Sequence, residues 1–146
     1  MDNGIESAGT HLTIDAFVKD PSLFTEERLS DLFQELVKTL GMKVLVGPTF
    51  VEVPIDPDKL EQSRETGEFC DEGGITSYSV ISKSHLSLHA WPLQSFFSMD
   101  VFSCASFDYR IALGIVSKHL RLESASICVL ARKKHSKPVV EASYVT

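Results

Sequence analysis

Residues 82–92 read SKSHLSLHAWP, which places Ser84, His89 and the only tryptophan, Trp91, on one short segment, with Cys104 a little further along the chain. Hydroxyl, thiol and imidazole are the groups that proteins use as nucleophiles and as bases near neutral pH. By type alone, Cys104, His89 and Asp100 permit a hydrolase in which the thiol attacks, the imidazole takes its proton and the carboxylate orients the ring. The flanking residues, DVFSCAS, carry no thiol-protease signature. The same residue types also serve as core-lining polar groups hydrogen-bonded to backbone. Spacing leaves these alternatives open.

The elements that must hold these residues follow from periodicity. Residues 11–18 alternate Leu12, Ile14, Ala16 and Val18 with more polar positions, the mark of a half-buried strand. Residues 26–40 carry Leu29, Leu32, Phe33, Leu36, Val37 and Leu40 at helical spacing, with Thr25 as N-cap, Glu26 and Glu27 in the first turn and Gly41 as the stop. Residues 42–53 read as one strand kinked at Gly47 and Pro48. Residues 55–74 show no sustained period beyond one helical turn near 59–64 and are expected to form a long loop, of the kind that acts as a lid or binding loop. Strands are expected over 75–82, 84–91 and 97–104, a helix over 107–120 capped by Ser106, and a last strand over 123–132. This order implies an α+β fold, a two-layer αβ sandwich with a mostly antiparallel sheet and its helices on one face.

Length and composition bound the function. At 146 residues the chain suits a single domain, residues 1–146, with 1–8 and 133–146 expected as flexible ends. A formal net charge of −6 argues against a phosphate-binding surface, so no nucleic acid partner is expected. The first residues lack the basic-then-apolar pattern of a signal peptide, and no apolar run approaches the length of a membrane span. A cytoplasmic protein with no membrane partner is the expectation. Cys70, Cys104 and Cys128 include no CxxC spacing, so reduced thiols are expected, with neither a disulfide framework nor a metal site.

The segment GGITSYSVISKSHLSLHAWPLQSFFSMDVFSC, residues 73–104, resembles the processing and active-site region of the prokaryotic S-adenosylmethionine decarboxylase proenzymes. That family shows a glycine-rich turn, an apolar strand, Ser-His, a second His, Trp-Pro-Glu and Asp-Val-Phe-Thr-Cys-Gly in this order and spacing. The likeness extends more thinly over GTHLTIDAF, the first helix and the strand after it, covering most of residues 9–132. It implies a proenzyme that cuts itself between Lys83 and Ser84 and converts Ser84 into a pyruvoyl group. The Ser84 hydroxyl would attack the Lys83 carbonyl to give an ester. Loss of the Ser84 α-proton would then leave dehydroalanine, and hydrolysis would give the ketone. The resemblance assigns Thr76 as donor to the oxyanion, His89 as base for the α-proton and Cys104 as the thiol returning a proton to the substrate α-carbon. The pyruvoyl ketone would form a Schiff base with the substrate amine and act as an electron sink as carbon dioxide leaves. Such enzymes serve polyamine biosynthesis, here with a small amino-acid-type substrate, S-adenosylmethionine first.

Some positions depart from that pattern. Lys83 stands where Glu is usual, the loop from 54 to 73 is longer, Ala105 replaces a glycine, and Leu93 replaces the glutamate that accepts hydrogen bonds from the substrate ribose. Trp91 and Phe69 are expected to sandwich an adenine. Leu93 favours the alternative of a pyruvoyl-dependent ornithine or arginine decarboxylase, in which Glu72, with Glu68 and Asp71, would receive a distal cation. A third reading is a non-cleaving regulatory paralogue. Family members of this size pair, so a homodimer of cleaved protomers is expected, with sites near the interface. Because Ser84 and His89 point to opposite faces of a regular strand, a bend or strained peptide is expected between them.

Overall fold

The alternation in the first strand organises the fold. The computed structural model describes residues 6–68, 70 and 72–146. In β1 (Ser7–Val18), Leu12, Ile14, Ala16 and Val18 are buried on one face, while His11, Thr13, Asp15 and Phe17 alternate with them on the other. Six further strands are described: β2 (Val44–Glu52), β3 (Ile75–Ile81), β4 (Ser84–Trp91), β5 (Phe96–Ser103), β6 (Leu122–Lys133) and β7 (Val139–Val145). They form one sheet in the order β2-β3-β4-β5-β1-β6-β7, with every neighbouring pair antiparallel. The helices are α1 (Glu26–Thr39), α2 (Pro57–Thr66) and α3 (Tyr109–Leu120). The α+β two-layer architecture expected from the sequence is the one observed.

Helix α1 is written in the sequence from cap to stop. Thr25 Oγ1 accepts the Arg28 N–H at its start, and Leu29, Leu32, Phe33, Leu36 and Val37 form the apolar stripe that it buries. Helix α3 buries Ala112, Val116 and Leu120, four residues apart, and packs against α1. Glu35 of α1 meets Lys118 and His119 of α3, and the Lys118 ammonium hydrogen-bonded to it holds the Glu35 carboxyl below the usual carboxylate range. Beneath the helices lie Leu86, Leu88 and Ala90 of β4 and Phe97, Met99 and Val101 of β5. The other face of these strands carries His85, Ser87, His89 and Trp91 beside Phe96, Ser98, Asp100 and Phe102. On that face His85 and His89 are exposed and Ser87, Trp91, Phe96, Ser98, Asp100 and Phe102 are half-buried, a mixture of aromatic, imidazole and carboxylate groups. Among the described residues, no helix is long and apolar enough to cross a membrane.

Four expectations need correction. The segment from 55 to 74 contains α2, ten residues long, rather than one turn in a loop. Asp56 caps it by accepting from Asp58 and Lys59 N–H, Pro57 opens it, and Gly67 closes it at φ 72°. It buries no side chain, so its signal lies in its caps and not in apolar period. Residues 133–146 are not a flexible end: β7 pairs with β6 from Ser126↔Val145 to Ala131↔Val139. The basic run before it masked the β-prone VVEASYV. Helix α3 starts at Tyr109 and is capped by Asp108, whose Oδ1 accepts the Arg110 N–H, not by Ser106. The other expected flexible end, residues 1–8, is also corrected where it is described, because Ser7 and Ala8 open β1; residues 1–5 lie outside the described residues. Strand β2 is a single kinked strand as expected, with register shifts on either side of Val46. At Gly47, φ is +105° and a Cβ would lie 2.7 Å from the Tyr78 carbonyl oxygen, so no other residue fits there without strain.

Candidate functional site

Strands β3 and β4 meet at a two-residue hairpin, with Ile81 opposite Ser84 and Ser82 and Lys83 at its tip. Neither tip residue has a positive φ, so the turn lacks the left-handed conformations that match two-residue hairpins to strand twist. The tip is held from both sides. The Ser82 N–H donates to the Lys43 carbonyl at 2.9 Å, and the Cys104 N–H donates to the Lys83 carbonyl at 2.9 Å. The expected scissile carbonyl therefore already has a main-chain donor aimed at it. Ser84 Oγ donates to the Met42 thioether sulfur at 3.4 Å. Thioethers are weak acceptors, so this contact orients the hydroxyl without locking it.

Cys104 follows β5 directly, and its side chain is exposed. Two features fix its place. Gly9, at φ +113°, lets β1 close on it, because a Cβ there would lie 2.1 Å from the Ser103 carbonyl oxygen. Ser103 Oγ then accepts the Ala105 N–H at 3.0 Å and turns the chain out of the sheet. Ala105 is not at a positive φ, so its methyl group is accommodated where the family carries glycine.

At the other end of β4, Thr76 and His89 stand directly opposite each other in the β3–β4 register, with Thr76 Oγ1 2.8 Å from His89 Nδ1. The His89 ring stacks on Trp91 with centroids 6.0 Å apart and an interplanar angle of 23°, and Trp91 stacks in turn on Phe96. A cavity of about 460 Å3 opens here, lined by Val53, Gly74, Ile75, Thr76, His89, Ala90 and Trp91. Leu93 is half exposed in the 3-10 turn Pro92–Gln94, two residues after Trp91 and not among the lining residues.

The expected site residues thus fall into two groups. Ser84, Lys83 and Cys104 share one end of the sheet; Thr76, His89 and Trp91 share the other. Ser84 and His89 are five residues apart on one strand, roughly 17 Å at strand rise. The bend expected between them is absent: β4 pairs without a register shift from Ile75↔Ala90 to Ile81↔Ser84 on one side and from Ser84↔Ser103 to Trp91↔Phe96 on the other. A strand paired on both sides has no room to kink. Within one protomer, Thr76 is therefore the partner of His89 and not the donor at Lys83. Glu72 is also placed otherwise than expected. It is 4% exposed, and its Oε2 accepts the Asp56 N–H at 2.7 Å, which ties the start of α2 to the Gly73 turn. Phe69 and Asp71 lie outside the described residues.

Sequence reasoning missed the Cys104 amide, since every residue carries one and only strand register shows where it points. It also passed over Met42 and the cluster of His85, His11 and Arg132 around Phe102. The alternation HLSLH on β4, which puts both imidazoles on one face, was the available signal for His85.

The chain is similar to known proteins in sequence and in fold. The family model for S-adenosylmethionine decarboxylase matches residues 10–133. An S-adenosylmethionine decarboxylase proenzyme of Pyrobaculum neutrophilum is 39% identical over 51 residues, a match spanning 30% of this chain and 41% of that protein. The chain thus spans about two fifths of the length of that relative in the match. A proenzyme of the same name from Clostridium botulinum is 23% identical over 129 residues, covering 87% of this chain and 96% of that one. The crystal structure of the adenosylmethionine decarboxylase of Aquifex aeolicus superposes with a TM-score of 0.62 at 20% identity over 95% of this chain and 98% of that one, and shares the fold. On the extent of the family match, the chain belongs to the S-adenosylmethionine decarboxylase family.

Proposed function

We propose that the chain is a proenzyme which cuts itself at Lys83–Ser84 and then decarboxylates S-adenosylmethionine in the cytosol, as a step in polyamine synthesis. The observation that carries this reading is the Cys104 N–H held 2.9 Å from the Lys83 carbonyl oxygen, at a hairpin tip whose next residue is a serine. When Ser84 Oγ attacks that carbonyl, negative charge develops on the oxygen to which the amide is already bonded, and a preorganised donor there is worth roughly 3 kcal/mol. The nitrogen leaves, an ester links Lys83 to Ser84 Oγ, and removal of the Ser84 α-proton releases Lys83 as a carboxylate. Hydrolysis of the resulting dehydroalanine expels ammonia and leaves a pyruvoyl group at residue 84. The surroundings fit that group: a strand start with a weakly held side chain and an exposed thiol just past the directly paired Ser103. Such a group at residue 84 would supply a carbonyl for the substrate amine and a sink for the electron pair left by carbon dioxide. Cys104 donates the proton that replaces the lost carboxylate.

His89 is too far along its own β4 to take the Ser84 α-proton. A second copy laid across the open sheet face with its strands reversed would bring its His89 and Thr76 over the cleavage end of the first copy's β4, on the face opposite the Ser84 side chain, and the reverse contact would follow by symmetry. The open face, with half-exposed aromatic rings such as Phe17, supports this homodimer. In the tautomer in which His89 Nδ1–H donates to Thr76 Oγ1, Nε2 carries the lone pair that a base needs. The 460 Å3 cavity beside Trp91 then holds the substrate end remote from the reaction.

Leu93 favours a second reading. A leucine accepts no hydrogen bond from a ribose, so ornithine or arginine, which carry none, are the competing substrates. Denaturing mass spectrometry should find fragments 1–83 and 84–146, the second blocked by a keto group, and an intact chain would leave the regulatory reading standing. Carbon dioxide release from S-adenosylmethionine, ornithine and arginine, measured side by side, then identifies the substrate.

A further inference from the structure

The cleavage end of the sheet also carries an arginine that the steps above leave unused. Arg132 is exposed on the open face of β6, opposite Gly9 in the β1–β6 register. Gly9 has no side chain to block its path, and the arginine leans across β1 to place Cζ 4.5 Å from the centroid of Phe102 on β5. Phe102 lies directly opposite His85, the neighbour of Ser84, and two residues before Cys104. The His85 and Phe102 ring centroids are 5.3 Å apart. The nearby Asp100 carboxylate faces His11 Nε2 at 3.5 Å, and Arg132 has no carboxylate partner among the described residues.

A guanidinium fork stacked on a ring beside the reacting end, with its hydrogen-bonding edge free, suits a planar anion held by two parallel bonds. We propose that Arg132 is a substrate-binding residue that receives the α-carboxylate of the amino acid to be decarboxylated. The inference rests on the pyruvoyl reading and names what holds the leaving group. Two bonds to the carboxylate fix its rotation about the Cα–C bond that breaks. The group leaves as neutral carbon dioxide, so the contact is lost in the product, and the amine is held less tightly than the acid from which it came. Discrimination between substrate and product would then reside in one side chain.

The test compares wild type, Arg132→Met and Arg132→Lys, using whichever of S-adenosylmethionine, ornithine or arginine releases carbon dioxide, and its own decarboxylated amine as inhibitor. Arg132→Met should raise KM for the amino acid roughly ten- to a hundredfold, since charged hydrogen bonds are lost. The inhibition constant of the amine should stay unchanged, kcat should move far less than KM, and Arg132→Lys should recover part of the loss. Splitting into the two fragments should proceed in all three proteins. The inference is overturned if KM and the amine constant rise together, which would make Arg132 a mere support of the pocket. It is equally overturned if KM is unmoved while sedimentation shows a weakened dimer, because the guanidinium then pairs with the second copy. A wild-type chain that never splits is recognised by mass alone and removes the pyruvoyl reading itself, and this inference with it.

Discussion

At one end of β4 the important atoms are main chain: the Lys83 carbonyl at a hairpin tip and the Cys104 amide that meets it. At the other they are side chains, Thr76 against His89 and His89 against Trp91. The first end is made by register, because Ser84↔Ser103 pairing brings residue 104 alongside residue 83. The second is made by alternation, which sets His89 and Trp91 on the same face. A flat strand separates the two, so neither end completes the chemistry alone. In the homodimer proposed above, each protomer would supply one half of each site.

That division is most directly broken by mixing subunits. Ser84→Ala should abolish cleavage completely, and His89→Ala should slow it by a hundredfold or more, as expected for loss of a general base. When the two variant chains are co-expressed and form mixed dimers, the His89→Ala chain keeps its serine and faces the intact His89 of its partner, so its cleavage should recover. Mass spectrometry of differently tagged chains reads the outcome; if no cleavage returns in mixed dimers, the base acts within its own protomer and the division is wrong. A smaller effect is expected at Cys104. Cys104→Ala removes the thiol but keeps the amide, so the two fragments should still form, while carbon dioxide release falls roughly a hundredfold for want of a proton donor. Loss of fragment formation in this variant would move the role of Cys104 from its thiol-bearing chemistry to the cleavage step.

The same contrast explains what was legible in the sequence. Alternation in residues 11–18 revealed that strand and its buried face, and the stripe from Leu29 to Val37 revealed α1, since these elements bury what they display. Helix α2 escaped because Asp56, Pro57 and Gly67 define it while it buries nothing. Strand β7 escaped because 133–138, KKHSKP, is dominated by lysine and histidine and ends in proline. Residue types pointed to Ser84, His89, Thr76 and Cys104 through a resemblance. They carried no information on the Cys104 amide, the flatness of β4 or the burial of Glu72, because these depend on partners brought from elsewhere in the sheet.

Two substitutions at the side-chain end sharpen the comparison. Thr76→Val keeps shape and removes the oxygen bonded to His89 Nδ1, so the imidazole loses the contact that selects its tautomer. Cleavage should slow about tenfold, less than for loss of the ring itself. A rate equal to wild type would show that stacking on Trp91 alone positions the histidine.

The smallest effect is expected at Leu93, and it has the opposite sign. Leu93 lies half exposed in the turn after Trp91, a residue that lines the cavity, and away from the cleavage end, so changing it should leave fragment formation untouched. If the cavity receives a nucleoside, its ribose hydroxyls face leucine and one of their hydrogen bonds goes unmade. A carboxylate at this position supplies an acceptor, and Leu93→Glu should lower KM for S-adenosylmethionine about three- to tenfold, the net worth of such a bond in a partly solvated site. Ornithine and arginine have no hydroxyls to offer, so for them the new carboxylate should act only through its charge, which extends to the distal cation and is screened by salt. Measuring KM for all three in low and high salt separates the cases. A salt-independent gain confined to S-adenosylmethionine assigns the cavity to the nucleoside, whereas a gain for the basic amino acids that fades with salt assigns it to a side-chain cation and makes Leu93 a mark of altered specificity.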